Sequence, residues 1–137
     1  MIEVLNEKIK LSKVSNMTAI HTDINNDPPI LDKFDLIYTS MALHHIKDIE
    51  TTLNTLYNLL SKSGHLCIVD LVKDDGSFHK DESDFDGHNG FDQNELALLL
   101  NKIGFHDVSS KVIYNDLKDV SGVKSKYSLF LMKASHC

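Results

Sequence analysis

The chain has 137 residues, of which 42% are hydrophobic and 25% charged, as expected of one globular domain. Its net charge is −6 and its 14 basic residues are all lysine. Without arginine there is no planar fork for bidentate contacts with phosphate or guanine, so nucleic acid is not an expected partner. No stretch approaches the roughly 20 apolar residues of a membrane span. Two isolated cysteines fit a reducing compartment, and a cytoplasmic protein without a membrane partner is expected.

The first part of the chain predicts one helix and one strand. Residues 1–13 place Ile2, Leu5 and Ile9 on one helical face. Residues 17–24 favour a strand, and the turn cluster that follows contains two prolines that no helix could cross.

The segment around a pair of adjacent histidines is the predicted centre of the molecule. Residues 34–38 are apolar and rich in β-formers, so they predict a buried strand. Asp48 is a suitable N-cap for a helix with a leucine stripe, which Ser63-Gly64 is expected to end. Ligands of open parallel sheets bind outside the carboxyl ends of the strands, so residues 40–45 are the expected active site.

The second half predicts two more elements of an α/β alternation and a two-strand ending. Residues 65–72 form a nearly continuous apolar run, typical of a strand covered on both faces. Asp92 and Glu95 resemble a capping box at the start of a helix. Strands are predicted over 108–114 and 127–132. The expected fold class is α/β, a mostly parallel sheet with an antiparallel terminal strand.

A long acidic loop over residues 73–90 interrupts this pattern and is typical of binding loops. Several of its acidic residues and those just after it have the spacing of a calcium loop: Asp84, Asp86, His88, Asp92 and Glu95. Asn89 occupies the position where that loop needs glycine, and histidine is a poor ligand for hard cations. No metal site is therefore predicted, and His88 and Phe91 are expected to contact a substrate.

Three segments together resemble the second half of the class I S-adenosylmethionine-dependent methyltransferases, in the quinone-biosynthesis-like small-molecule branch. They are FDLIYTSMALHHIKD, SGHLCIVDLV and GFDQNELALLLNKIGF. The resemblance implies a Rossmann-like fold, S-adenosylmethionine as cofactor, and methyl transfer to a small-molecule acceptor. The family's glycine-rich loop has no counterpart, because the sequence contains no G-x-G. The resemblance therefore implies an N-terminally incomplete sheet.

The resemblance also implies which residues meet the cofactor. Asp23 would accept a hydrogen bond from the adenine amino group, and the Ile24 backbone N–H would meet the ring. Ser40 and Met41 would lie beneath the sulfonium. The alternative for Asp23 is a solvated aspartate that starts a turn.

His44 and His45 are the candidate catalytic residues. An imidazole with an ordinary pKa of about 6.5 can remove a proton from an acceptor as the methyl group is transferred. Only one of the two is expected to do so, because neighbours at a strand-to-helix junction point in different directions. The alternative is that one histidine caps the following helix while the other packs against the sheet.

Two functions from other classes stay open. One is a non-catalytic α/β module that dimerises or binds a partner, possible because the missing glycine-rich loop could leave this chain inactive. The other is a metal-dependent binding module that uses the acidic loop. An exposed sheet edge readily pairs with another chain, so a homodimer is expected.

Overall fold

The computed structural model describes residues 2–13, 15–74 and 87–137. Within them the chain forms three α-helices, a short 3₁₀ turn and four strands, in α/β alternation with a final hairpin. In chain order these are α1 (Ile2–Leu11), β1 (Phe34–Ser40), the 3₁₀ turn (Leu43–His45), α2 (Ile49–Leu59), β2 (Leu60–Leu71), α3 (Gln93–Ile103), β3 (His106–Val120) and β4 (Val123–Ser135).

The four strands form one sheet in the order β1-β2-β4-β3. β1 and β2 are parallel neighbours, with Ile37 opposite Leu66. β4 runs antiparallel to both β2 and β3. The predicted α/β fold is confirmed, including the adjacency of the two strands on either side of α2 and the antiparallel ending. Because β1 and β2 are parallel, their carboxyl ends lie side by side at the same end of the sheet.

The core lies between one face of the sheet and helices α2 and α3. Leu66 and Ile68 of β2 are fully buried against Leu53 of α2 and Leu100 of α3. Burying each such side chain stabilises the fold by about 1.5–3 kcal/mol. Alternation along the strands sends their neighbours to the other face, where Tyr38 of β1 is 75% exposed. One face of the sheet therefore carries most of the packing.

The strand predicted over residues 17–24 is wrong, since this segment has no regular secondary structure. Ile20 is 60% exposed, so the segment does not bury its apolar side chains as a sheet strand would. Its end is a turn in which the Asp23 carbonyl oxygen accepts hydrogen bonds from the N–H groups of Asn26 and Asp27. Extended chain without a neighbouring strand has no partner for its backbone groups, and turn chemistry prevails.

The predicted end of α2 is also wrong. The helix stops at Leu59, and Leu60 already pairs with Phe34 in the sheet. Gly64 lies inside β2, where a Cβ would come within 2.9 Å of the Ser61 carbonyl oxygen. Glycine is needed there for close backbone approach and not as a helix cap. The helix ends early because pairing with β1 outweighs the propensity of residues 60–63 to continue it.

The two terminal strands were predicted in the right places but too short. They extend into a hairpin of 15 and 13 residues around Ser121 and Gly122. Both turn residues have positive φ angles, 51° and 80°, as a two-residue hairpin turn requires. The predicted strands were too short because the added residues are largely polar, and most of these polar side chains lie on exposed faces of the hairpin.

Both predicted helix N-caps are confirmed. The Asp48 carboxylate accepts hydrogen bonds from the Thr51 backbone N–H at 3.1 Å and from its hydroxyl at 2.7 Å. The hydroxyl and then the backbone N–H of Thr51 lower the pKa of Asp48. The Asp92 carboxylate accepts a hydrogen bond from the Glu95 N–H at 3.0 Å. Asp48 matters for the site because it starts α2 only three residues after the histidine pair.

Candidate functional site

The candidate site lies where the chain leaves the carboxyl ends of β1 and β2. Ser40 is the last residue of β1 and is exposed. Met41 follows with φ at +55°, a left-handed conformation that is costly for a residue with a Cβ. Its N–H donates to the Val69 carbonyl oxygen of β2 at 2.9 Å. The chain thus turns sharply off β1 into the 3₁₀ turn.

The two histidines of that turn have opposite environments. His44 is 2% exposed, and its Nδ1 donates a hydrogen bond to the Asp70 carboxylate at 2.6 Å. His45 is exposed, and its ring centroid lies 4.1 Å from that of His44 with the planes inclined at 38°. The structure thus buries one histidine of the pair and leaves the other exposed. Any role in chemistry stays a prediction.

The loop at residues 87–91 crosses the same turn. The His88 N–H donates to the His44 carbonyl oxygen at 2.7 Å, and its Nε2 donates to the Lys47 carbonyl oxygen at 3.1 Å. Phe91 is buried and forms a parallel bridge with Val72, just beyond β2. The loop is therefore fastened both to the histidine turn and to the end of β2.

His88 and Phe91, the predicted substrate contacts, lie beside one another with ring centroids 5.3 Å apart. Both line a cavity of about 530 Å³ between the loop and the first turns of α2 and α3. That volume lies within the range of small-molecule sites. Acidic side chains from the loop and from α3 also line it: Asp74, Asp92 and Glu95.

Asp23 and Ile24, the predicted adenine contacts, lie elsewhere on the molecule. Their turn is held against the middle of α2, where the Asn25 side chain donates to Thr52 Oγ at 2.8 Å. Ile24 lines a separate cavity of about 400 Å³ along α2. The Asp23 carboxylate is exposed, and hydrogen bonds from the Asn26 side chain and then the Asn25 backbone lower its pKa.

No cluster of three or more metal-ligating side chains occurs among residues 2–13, 15–74 and 87–137. Asp84 and Asp86 of the calcium-like spacing lie outside the described residues. Across the described part of the chain, no helix combines the length and apolar character needed to cross a membrane.

Asp70 is the site residue that the sequence analysis missed. It is fully buried at the carboxyl end of β2, facing the histidine turn. The sequence feature that could have identified it is a single acidic residue inside the apolar run HLCIVDLV. An ionisable group in a covered strand needs partners, and the carboxyl end of the neighbouring strand was the place to look for them.

The family model "Methyltransferase domain" matches residues 2–110 of this chain. The protein therefore belongs to the methyltransferase family. This confirms the class indicated by the three sequence segments. The quinone-biosynthesis-like branch stays a prediction.

A curated relative from Schizosaccharomyces pombe, an uncharacterized methyltransferase, is 36% identical in an alignment of 86 residues that covers 58% of this chain. The matched region spans 30% of that relative's length.

Among solved structures, the chain is similar to the Haemonchus contortus phosphoethanolamine N-methyltransferase 2 in complex with phosphomonomethylethanolamine and S-adenosylhomocysteine. The TM-score is 0.78 at 15% identity, over 99% of this chain and 41% of that one. It is also similar to a SAM-dependent methyltransferase from Aquifex aeolicus, with a TM-score of 0.65 at 17% identity, over 99% of this chain and 63% of that one. At these identities the likeness shows the fold, and it confirms the Rossmann-like class.

Proposed function

We propose that this protein transfers a methyl group from S-adenosylmethionine to a small-molecule acceptor, with His45 as the general base. The observation that carries the proposal is an exposed histidine held at the carboxyl ends of two parallel strands in a chain of the methyltransferase family. Ligands of such sheets bind at this edge. His44 is too buried to meet an acceptor, so the exposed neighbour is the better base.

The donor follows from the class and from its solved relatives, one of which holds S-adenosylhomocysteine. Bound S-adenosylmethionine supplies an activated methyl group on a sulfonium. The exposed Asp23 carboxylate has the acceptor chemistry that an adenine amino group needs, so it fits that end of the cofactor. We assign Ile24 to the same end, and Ser40 and Met41 to the sulfonium end, where a thioether side chain packs adaptably.

We assign the acceptor to the cavity of about 530 Å³ that His88 and Phe91 line. Its size suits a small molecule, and the half-buried Ile49 and Leu99 add an apolar surface to it beside polar groups. The loop that carries both residues is fastened to the His44 carbonyl oxygen. The main task of the protein is to position the acceptor and donor, because a held pair reacts as if in one molecule.

The proposal is tested by titrating the protein with S-adenosylhomocysteine in a calorimeter. We expect saturable heat, and a loss of about 10- to 100-fold in affinity for Asp23→Ala, since a hydrogen bond to a charged group contributes about 1.5–3 kcal/mol. Asp32→Ala, on the exposed segment before β1, is the control and should bind as the unaltered protein does. Heat with calcium instead would favour a metal-dependent binding module, and silence to both would contradict the proposed function.

A second candidate function, a dimerisation module, is favoured by the exposed side chains of β1. β1 is an outer strand of the described sheet, and Leu36 and Tyr38 on it are 59% and 75% exposed. An apolar outer strand invites pairing with another chain. We propose that a second copy of this chain pairs there, forming a two-fold dimer.

Sedimentation velocity on the 137-residue chain tests this association. We expect a dimer for the unaltered chain and a monomer for Leu36→Lys, because a lysine on an edge strand opposes pairing. Leu98→Lys on α3 is the matched control, since Leu98 is 69% exposed and lies away from β1. A monomer for the unaltered chain would rule out the dimer.

A further inference from the structure

A buried carboxylate fastens the turn that carries His45. Asp70 is 0% exposed, and its Oδ2 accepts a hydrogen bond from the His44 backbone N–H at 3.1 Å. Its Oδ1 accepts from His44 Nδ1 at 2.6 Å and from the Leu71 N–H at 2.8 Å. Donors from β2 and from the 3₁₀ turn thus converge on one carboxylate. Because both the backbone and the ring of His44 are held, this residue has little freedom to rotate or shift.

The same turn is held from two further directions. The His44 carbonyl oxygen accepts a hydrogen bond from the His88 N–H at 2.7 Å, and Leu43 is 1% exposed in the core. The left-handed Met41 stands at the start of the turn. A strained backbone conformation persists only where its surroundings over-determine it. Within these surroundings, the Asp70 carboxylate holds both the backbone N–H and the ring of His44.

The position of His45 depends on how His44 is held. His45 follows His44 directly in the chain, and the centroids of their two rings lie 4.1 Å apart. Because His44 is held in place, its ring limits the positions that the His45 ring can take. A general base must lie within hydrogen-bond reach of the proton that it removes. A misplacement of about 1 Å can cost on the order of 100-fold in rate.

We propose that Asp70 is a positioning residue, which acts through His44 to hold His45 where it can take a proton from the acceptor. The inference rests on the proposed function, because it takes His45 as the base. Asp70 is completely buried and does not itself meet the acceptor. Its role is to join the ends of β1 and β2 so that the base has one orientation.

The test is Asp70→Asn, which keeps the shape but replaces one acceptor oxygen with an amide that faces the His44 donors. We expect kcat to fall about 10- to 100-fold, while KM changes by less than about threefold. The matched control is Ser135→Ala, which removes the hydrogen bond between Ser135 Oγ and His65 Nδ1 in the middle of β2. It should leave kcat within about twofold of the unaltered protein.

Nitrogen-15 NMR of the histidine rings supplies a readout independent of turnover. In the unaltered protein we expect a protected, far-downfield proton on His44 Nδ1 and contacts between the rings of His44 and His45. Asp70→Asn should remove that proton and shift the His45 ring signals. If Asp70→Asn does not fold, the unaltered protein decides: a His44 ring protonated on Nε2 alone overturns the proposal.

The outcomes separate this inference from the proposed function. A folded Asp70→Asn protein with unchanged kcat overturns the positioning role and leaves methyl transfer intact. An unaltered protein that binds no S-adenosylhomocysteine and transfers no methyl group overturns the proposed function and, with it, the role of His45 as a base.

Discussion

Replacing His44 with alanine is expected to lower the free energy of unfolding by about 3–5 kcal/mol, because the buried Asp70 carboxylate loses the side-chain donor that compensates it. The substitution leaves the Asp70 carboxylate at 0% exposure without the imidazole N–H that now lies 2.6 Å away. Water cannot replace that donor without opening the turn. Urea unfolding followed by circular dichroism measures the change. The urea concentration at the midpoint should fall, while the dependence of the unfolding free energy on urea concentration stays the same.

His45→Ala is the matched control, because the neighbouring residue is exposed in the same turn. We expect its unfolding free energy to stay within about 0.5 kcal/mol of the unaltered protein, as for most surface substitutions. Its turnover should fall by about 10²–10⁴-fold if it is the base. Equal stability losses for the two variants, or a larger turnover loss for His44→Ala per folded molecule, would contradict this division of roles.

Replacing Gly90 with alanine is expected to cost about 2–5 kcal/mol through two additive effects. Gly90 has φ at +84°, and a Cβ would lie 2.6 Å from the Val72 carbonyl oxygen and 2.8 Å from that of Leu71. Backbone atoms cannot move aside as a side chain can, so the loop must leave the end of β2. Hydrogen exchange should then quicken at the Phe91 N–H, which donates to the Leu71 carbonyl oxygen.

Gly122→Ala separates the two effects. Gly122 has a similar φ of +80°, but nothing lies within 4 Å of its would-be Cβ. Its cost is the left-handed strain alone, about 1–2 kcal/mol. If the two alanine variants lose the same stability, steric exclusion at Gly90 is not what holds the loop. The loop carries His88 and Phe91, so affinity for an acceptor should fall only in Gly90→Ala.

Local patterns in the sequence were sufficient for the central elements. The runs at 34–38 and 65–72 are adjacent parallel strands, as β-formers without a helical stripe predict. The predicted burial of the 34–38 strand is wrong, because Leu36 and Tyr38 lie on the exposed face of an outer strand. Asp48 and Asp92 were identified as N-caps, since the side chain satisfies backbone N–H groups within three residues of itself. Features of this kind depend on neighbours in sequence.

The failures all concern competition between distant parts of the chain. Residues 17–24 have strand-like composition but no partner strand in the described structure, and a strand needs a partner for its backbone groups. The end of α2 depended on Phe34, which pairs with Leu60 and draws it into the sheet. The secondary-structure propensities of residues 60–64 alone do not indicate that pairing.

The sequence by itself placed a pair of histidines at a strand-to-helix junction and predicted that only one of them takes part in chemistry. It also indicated the family, which the family model matching residues 2–110 confirms. Only the tertiary structure decided which histidine is buried. That choice depends on Asp70, 26 residues further along, whose carboxylate reaches His44 once β2 lies beside β1. A buried charge selects its partner by proximity in space, and proximity in space is what the sheet creates.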